Sequence, residues 1–150
     1  MYDFISTYGM MFLVGSWPGG PIGGFAGTLI LAALSLTAAF PIAMLIGTGR
    51  TSEIGIIRHL STVWVYVFRS IPLIMIIFWA YFLLPTMMKT EIPPFWTAVS
   101  AIVIYESAFL AEIIRGGLQS LPAGQVEAAR AMGLGYFQTL FTIQLPQALS

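Results

Sequence analysis

Three stretches of this chain stay apolar far longer than the alternation of a soluble fold requires, and its polar residues gather between them. The first, about Phe25 to Gly47, carries no charge and is broken only by Thr28, Ser35 and Thr37. A helix crosses a hydrocarbon core with about 20 predominantly apolar residues, so residues 25–47 predict a membrane span, with Pro41 as a kink point. The second, about 63–84, holds Arg69 and Pro72 early and becomes cleanly apolar only after Ile71. It predicts an interfacial turn or two followed by a short span. The third runs from Pro94 to Arg115, with proline in its first turn and Gly116-Gly117 past its end, the asymmetry of a helix start and stop. At about 1.5 Å per residue it reaches roughly 33 Å, enough to cross. Ahead of these, Phe4, Tyr8, Met11 and Phe12 fall at near-helical spacing within residues 1–17. They predict a short amphipathic piece at the outer surface, followed by the breaker-rich lead Trp17-Pro-Gly-Gly-Pro-Ile-Gly-Gly. The expected fold is all-α, a polytopic transmembrane helical bundle in a single domain over residues 1–150, without internal repeats.

Composition strengthens this picture. The chain is 58% hydrophobic and 8% charged, whereas soluble domains carry about 25% charged residues. A formal net charge of zero argues against a nucleic-acid partner, since phosphate binding calls for a basic excess. There is no cysteine and one histidine, His59, expected as an interfacial loop residue, so no metal site is expected. Arg50, Arg58 and Arg69 follow the first span and Arg115 and Arg130 follow the third, while the intervening loop has only Lys89 beside Glu91. By the positive-inside rule, residues 50–62 and 116–146 face the cytoplasm and the N-terminus lies outside. The first charged residue is Asp3 and the first basic one Arg50, so no cleaved secretory signal is expected.

The polar loop after the third span holds the most specific pattern. Glu127, Ala128 and Ala129 are followed at fixed intervals by Gly133 and then by Ile143, Leu145 and Pro146. Good helix formers with small side chains at 127–132 predict a short helix able to lie closely in another protein's groove. Gly133 and Gly135 supply the permissive backbone that ends it, and Pro146 suits the first turn of a following helix. The spacing Glu-Ala-Ala, three residues, Gly, nine residues, Ile-x-Leu-Pro resembles the loop by which permease subunits of bacterial ATP-binding cassette (ABC) importers grip their ATPases. Gly27-Thr28-Leu29, Phe68-Arg69-Ser70-Ile71-Pro72-Leu73, and Ala111 to Ser120 resemble the polar amino-acid permeases of that superfamily. Phe78-Trp79-Ala80-Tyr81 and Tyr105-Glu106-Ser107-Ala108 are most similar to the glutamate/aspartate type. The resemblance implies a type I importer permease in the bacterial inner membrane with a cytoplasmic coupling loop at about 116–146. It implies as partners two ABC ATPases, a second permease copy or homologue, and an external amino-acid-binding protein. Glutamate or aspartate is the expected substrate, with glutamine, arginine or histidine as alternatives. Such permeases have about five spans, so a chain ending after three is expected to be truncated.

The chemistry is that of a conduit. No Gly-x-x-x-x-Gly-Lys-Ser/Thr is present, and the only lysine, Lys89, sits in an expected external loop, so ATP belongs to a partner and no cofactor of the chain itself is expected. No nucleophile–base or paired-carboxylate constellation stands out. Glu106 lies 12 residues past Pro94, about 18 Å along the helix and near the midplane, where a charge costs at least about 2.5 kcal/mol. Two readings stay open: a substrate-cavity residue, or a structural carboxyl between helices. Arg69 is expected either to anchor the second span at the inner interface or to line the pathway, and the resemblance favours a gate or cavity; Tyr105 is a further pathway candidate, although packing is the simpler role for Tyr105, Trp79 and Tyr81. Glu112 and Arg115 are expected to pair on one face of the helix. A channel or ion-coupled transporter using Glu106 is the competing class; it leaves the spaced loop pattern unexplained.

Overall fold

The computed structural model describes residues 2–148, with side chains from Tyr8 onward; the side chain of Phe4 lies outside the described residues. All regular structure among the described residues is helical, apart from one isolated bridge between Gly15 and Ile22. The elements are α1 (Tyr2–Val14), α2 (Gly24–Gly49), α3 (Gly55–Ser70), α4 (Leu73–Met88), α5 (Pro94–Ser120), α6 (Ala123–Ala131) and α7 (Tyr136–Thr139). A π-helical turn (Leu140–Gln144) and α8 (Leu145–Ala148) complete the order.

The most extensive contact joins α2 to α5. Ser35, Ala39, Ala43 and Gly47 recur every fourth residue along α2 and are all buried, while Ala101, Ala108 and Ala111 are buried on α5. In lipid, where apolar side chains gain little by leaving their surroundings, small residues let helix backbones approach and pack. The approach is tightest at Gly47, where an added Cβ would lie 2.9 Å from both the Ala111 carbonyl oxygen and Ile114 Cβ. Below this point the core broadens into a cluster of Ala43, Val65, Ala111, Ile114, Leu118, Leu140 and Leu145.

The second apolar stretch is two helices. Its first helix begins at Gly55 rather than Val63, and α3 meets α4 at a bend of 100°. Pro72 is the cause: its ring excludes the residue before it from the helical region, and Ile71 is extended at φ −104°, ψ 129°. The short span expected after Ile71 corresponds to α4, whose 16 residues reach about 24 Å; α4 is apolar enough to cross only when counted together with α3 as one bent pair. Helix α3 is amphipathic: Ser61, Trp64, Val65 and Phe68 are buried or half-buried, while Arg58 and His59 are exposed. His59 therefore sits on a helix and not in a loop.

The third span also outruns its expected end. Gly116-Gly117 lies inside α5, which runs on to Ser120; Leu121 is again extended before a proline, Pro122. Gly117 serves packing: an added Cβ there would stand 2.7 Å from the carbonyl oxygen of Ala148 on α8. Pro41 is carried within α2. At the N-terminus the helix forms, but Met10, Met11, Phe12 and Leu13 are all exposed, so α1 is apolar all round past Thr7 and not amphipathic. Two glycines with positive φ, Gly15 (70°) and Gly24 (56°), fold α1 back beside the start of α2.

The two glycine types separate by mutation. Gly47→Ala is expected to destabilise the purified protein by about 1–3 kcal/mol through overpacking. Gly116→Ala, which meets nothing within 4 Å, is expected to be neutral or to stabilise by up to about 1 kcal/mol. Thermal midpoints in one detergent check both, and equal midpoints would remove Gly47 from its packing role.

Candidate functional site

The short loop helix forms where its composition places it. After Pro122, α6 runs from Ala123 and closes with a paired motif: the Leu134 amide bonds the Ala129 carbonyl at 3.1 Å and the Gly133 amide bonds the Arg130 carbonyl at 2.9 Å. This six-to-one and five-to-two arrangement needs a left-handed residue at its turn, and Gly133 has φ 83°. Ala129 is fully buried, whereas Glu127 and Ala128 are exposed. The small buried residue seats the helix, and Glu127 and Ala128, with Met132 beyond the helix end, face outward. Arg130 reaches back to Glu53 in the loop between α2 and α3, with Nη2 2.6 Å from Oε1.

The pattern's second half lies on one helical run. The Gln138 side chain accepts the Gly135 amide at 3.0 Å, so the helix expected to start near Leu145 begins at Tyr136. Proline within a helix loses one hydrogen bond and crowds a preceding carbonyl, and the wide π turn just ahead of Pro146 makes room of that kind. Leu145 is buried, Ile143 half-buried and Pro146 exposed. Phe137 and Phe141 are among the most exposed aromatics. Sequence reasoning passed over both; their signal was two phenylalanines four residues apart in a loop otherwise read as polar.

A charge cluster lies at the same end of the bundle. Glu112 bonds Arg115, whose Nε is 3.1 Å from Oε1, so the expected pair meets. The same carboxylate also bonds Arg50 Nη1, and Arg69 Nη1 lies 3.5 Å from its Oε2. Three guanidiniums from α5, the end of α2 and the end of α3 converge on one carboxylate. Arg50 is the deepest, its side chain only 8% exposed against 42% for Arg69. The cationic faces also find rings, Arg50 over Tyr66 at 5.9 Å and Arg69 over Phe109 at 5.2 Å. The sequence counted Arg50 for topology alone.

Glu106 stands apart from this cluster. It is half-buried on α5 and makes no hydrogen bond or ion pair among the described residues. Arg69, expected at the pathway, is directed to Glu112; it connects to Tyr105 only through Phe109, whose ring lies 4.7 Å from that of Tyr105. Ser107, next to Glu106, is buried and accepts a bond from Trp64 Nε1 at 3.2 Å. Among the described residues no three His, Asp or Glu side chains gather as a metal site would require.

A helical bundle with apolar spans of this kind is the architecture of ABC transporter permeases. It matches a solved structure described as an amino acid ABC transporter with histidines at a TM-score of 0.70 and 33% identity, over 81% of this chain and 56% of that one. Residues 39–150 match the family described as binding-protein-dependent transport system inner membrane component, and the chain belongs to it. It is 43% identical over 148 residues to the "Probable glutamine ABC transporter permease protein GlnP" of Bacillus subtilis (strain 168), covering 98% of this chain and 65% of that protein. It is 37% identical over 129 residues to the "Glutamate transport system permease protein GluD" of Corynebacterium glutamicum, covering 85% and 47%. The chain thus spans about two thirds or less of these relatives' length.

Removing the carboxylate at the centre of the arginine cluster should cost more than removing any one guanidinium. Glu112→Gln is expected to destabilise by about 1–3 kcal/mol, because it leaves the buried Arg50 guanidinium without its carboxylate. Arg69→Gln, at the exposed edge, should cost under about 1 kcal/mol. Denaturation of both variants in the same detergent checks this order; the reverse order would dissolve the assigned centre.

Proposed function

We propose that this chain forms one half of the pathway of an ATP-driven importer of glutamine or glutamate in a bacterial inner membrane. The supporting observation is α6: a short helix seated by buried Ala129, closed by Gly133, and offering Glu127 and Ala128 outward. Such a helix suits a groove on an ATPase. Closure of two ATPases displaces two such helices and favours one arrangement of the spans, and reopening restores the other. Each helix then acts as a joint with different contacts in the two states. A second permease subunit supplies the other half of the pathway, and an external binding protein delivers the amino acid.

The relatives' names support an acidic amino acid or its amide. Glu106, half-buried and without a partner among the described residues, suits the pathway, where its carboxyl oxygens can accept from the amino group that every such substrate carries. The arginine distribution supports an orientation with α6 in the cytoplasm.

Uptake of labelled glutamine and glutamate into proteoliposomes holding the permease, its ATPases and binding protein tests the reading. Unlabelled glutamine and glutamate should compete, and arginine and histidine should not; the converse replaces the substrate class. In the same assay Glu106→Gln should shift selectivity while the complex stays assembled, whereas loss of assembly with unchanged selectivity would make Glu106 structural. Gly133→Val forces a β-branched residue into the left-handed region, at about 1–2 kcal/mol. Stimulated ATP hydrolysis and uptake should both fall by about tenfold, the factor for roughly 1.4 kcal/mol. Undiminished coupling would reject α6 as the joint.

Orientation has its own measurement. A cysteine at Gly124 should react with impermeant thiol reagents only from the cytoplasm, and one at Lys89 only from outside. The opposite pattern would place α6 away from ATP.

A further inference from the structure

Behind α6 lies a cavity of about 350 Å³ between the loop after α2, the first turn of α3, the end of α5, α6 and the run from α7 into the π turn. Its lining is unusually rich in donors. Arg50, Arg58, Arg130, Thr139 and Gln144 face it, and Glu53 is its only carboxylate. That carboxylate is already bound to Arg130. Arg50 gives Nη1 to Glu112 on the far side, and its buried Nε has no partner. Thr139 is 2% exposed, and its Oγ1 is likewise buried and unpartnered. Arg58 is exposed and makes a single contact, 3.4 Å to the Ser52 carbonyl. The Gln144 side chain bonds nothing among the described residues.

A buried polar atom left without a partner is unfavourable, and two residues lining this one cavity, Arg50 and Thr139, each carry such an atom among the described residues. Even with Glu112 offsetting Arg50 and Glu53 offsetting Arg130, Arg58 has no carboxylate partner among the described residues. The complement is an anion with several acceptor oxygens, approached from more than one side. Guanidiniums match phosphate oxygens in two-pronged geometry, and a cavity of 350 Å³ falls in the range of small-molecule sites, about 300–1,000 Å³.

We propose that this cavity binds a phosphate group and that the group braces α6 against the loop after α2. It has two sources of one chemistry: a phospholipid headgroup, reachable because Arg50 ends a membrane-spanning helix, or free phosphate. The proposal does not require the transport reading; only the lipid source draws on the membrane placement.

The test uses the assembled permease–ATPase complex. In lipid-free detergent, thermal midpoints are followed as inorganic phosphate replaces chloride at constant ionic strength. In a parallel arm the complex sits in nanodiscs of phosphatidylcholine with or without phosphatidylglycerol. Arg58→Gln and Thr139→Val are compared with the parent in both arms, so phosphate binding by the ATPases cancels. The proposal expects stabilisation in at least one arm, with Arg58→Gln raising the half-saturating phosphate or lipid level about tenfold and Thr139→Val raising it severalfold. Stabilisation only by phosphatidylglycerol assigns the lipid headgroup, and only by phosphate the free ion. Absence of stabilisation in both arms, or equal stabilisation of parent and both variants, overturns the site. Uptake is not read, so failure here leaves the transport assignment untouched.

Discussion

The contact between α2 and α5 at Gly47 governs where the charged groups of this protein meet. A missing side chain lets the α2 backbone rest against the Ala111 carbonyl. Glu112 follows Ala111 directly, and Arg50 stands at the end of α2, three residues past Gly47. Once the two backbones are in register, Arg50 and Glu112 have almost no freedom to miss each other. Apolar association cannot set that register in lipid, so steric fit between small residues has to do it.

The arginine cluster then draws in the bent second segment. Pro72 turns the chain by 100° between α3 and α4, which leaves α3 amphipathic and returns Arg69 to Glu112. The carboxylate thereby ties three helices at one level of the bundle. Arg69, at the exposed rim of this knot, also rests on Phe109, whose ring touches Tyr105 beside Glu106. A packed path therefore leads from the arginine cluster toward the unpartnered carboxyl, through aromatic faces rather than hydrogen bonds.

Length and polarity made the first and third spans legible, and the chemistry of a helix end made Gly133 legible. Other features were hidden for physical reasons. Gly117 looks like a helix stop, yet its purpose is the close approach of Ala148, which no local pattern announces. Pro72 was visible, but whether a proline kinks a span or breaks it depends on what the following helix packs against. Arg50 and Glu112 are 62 residues apart, and only the α2–α5 register brings them together. The loop after the third span is polar by count, which masks Phe137 and Phe141 within it.

The link between Arg130 and Glu53 carries a mechanical consequence. Both side chains are more than half exposed, so the pair contributes at most about 1 kcal/mol and sits in water where charges are screened within about 8 Å at physiological salt. Helix α6 is thus rigid along its own axis, through its backbone bonds and its glycine closure, but fastened to the neighbouring loop by a tie that thermal motion opens readily. Such a part behaves as a stiff lever on a soft bearing: it conveys displacement well and holds position poorly. Its resting angle is therefore open to being set by whatever occupies its outer face.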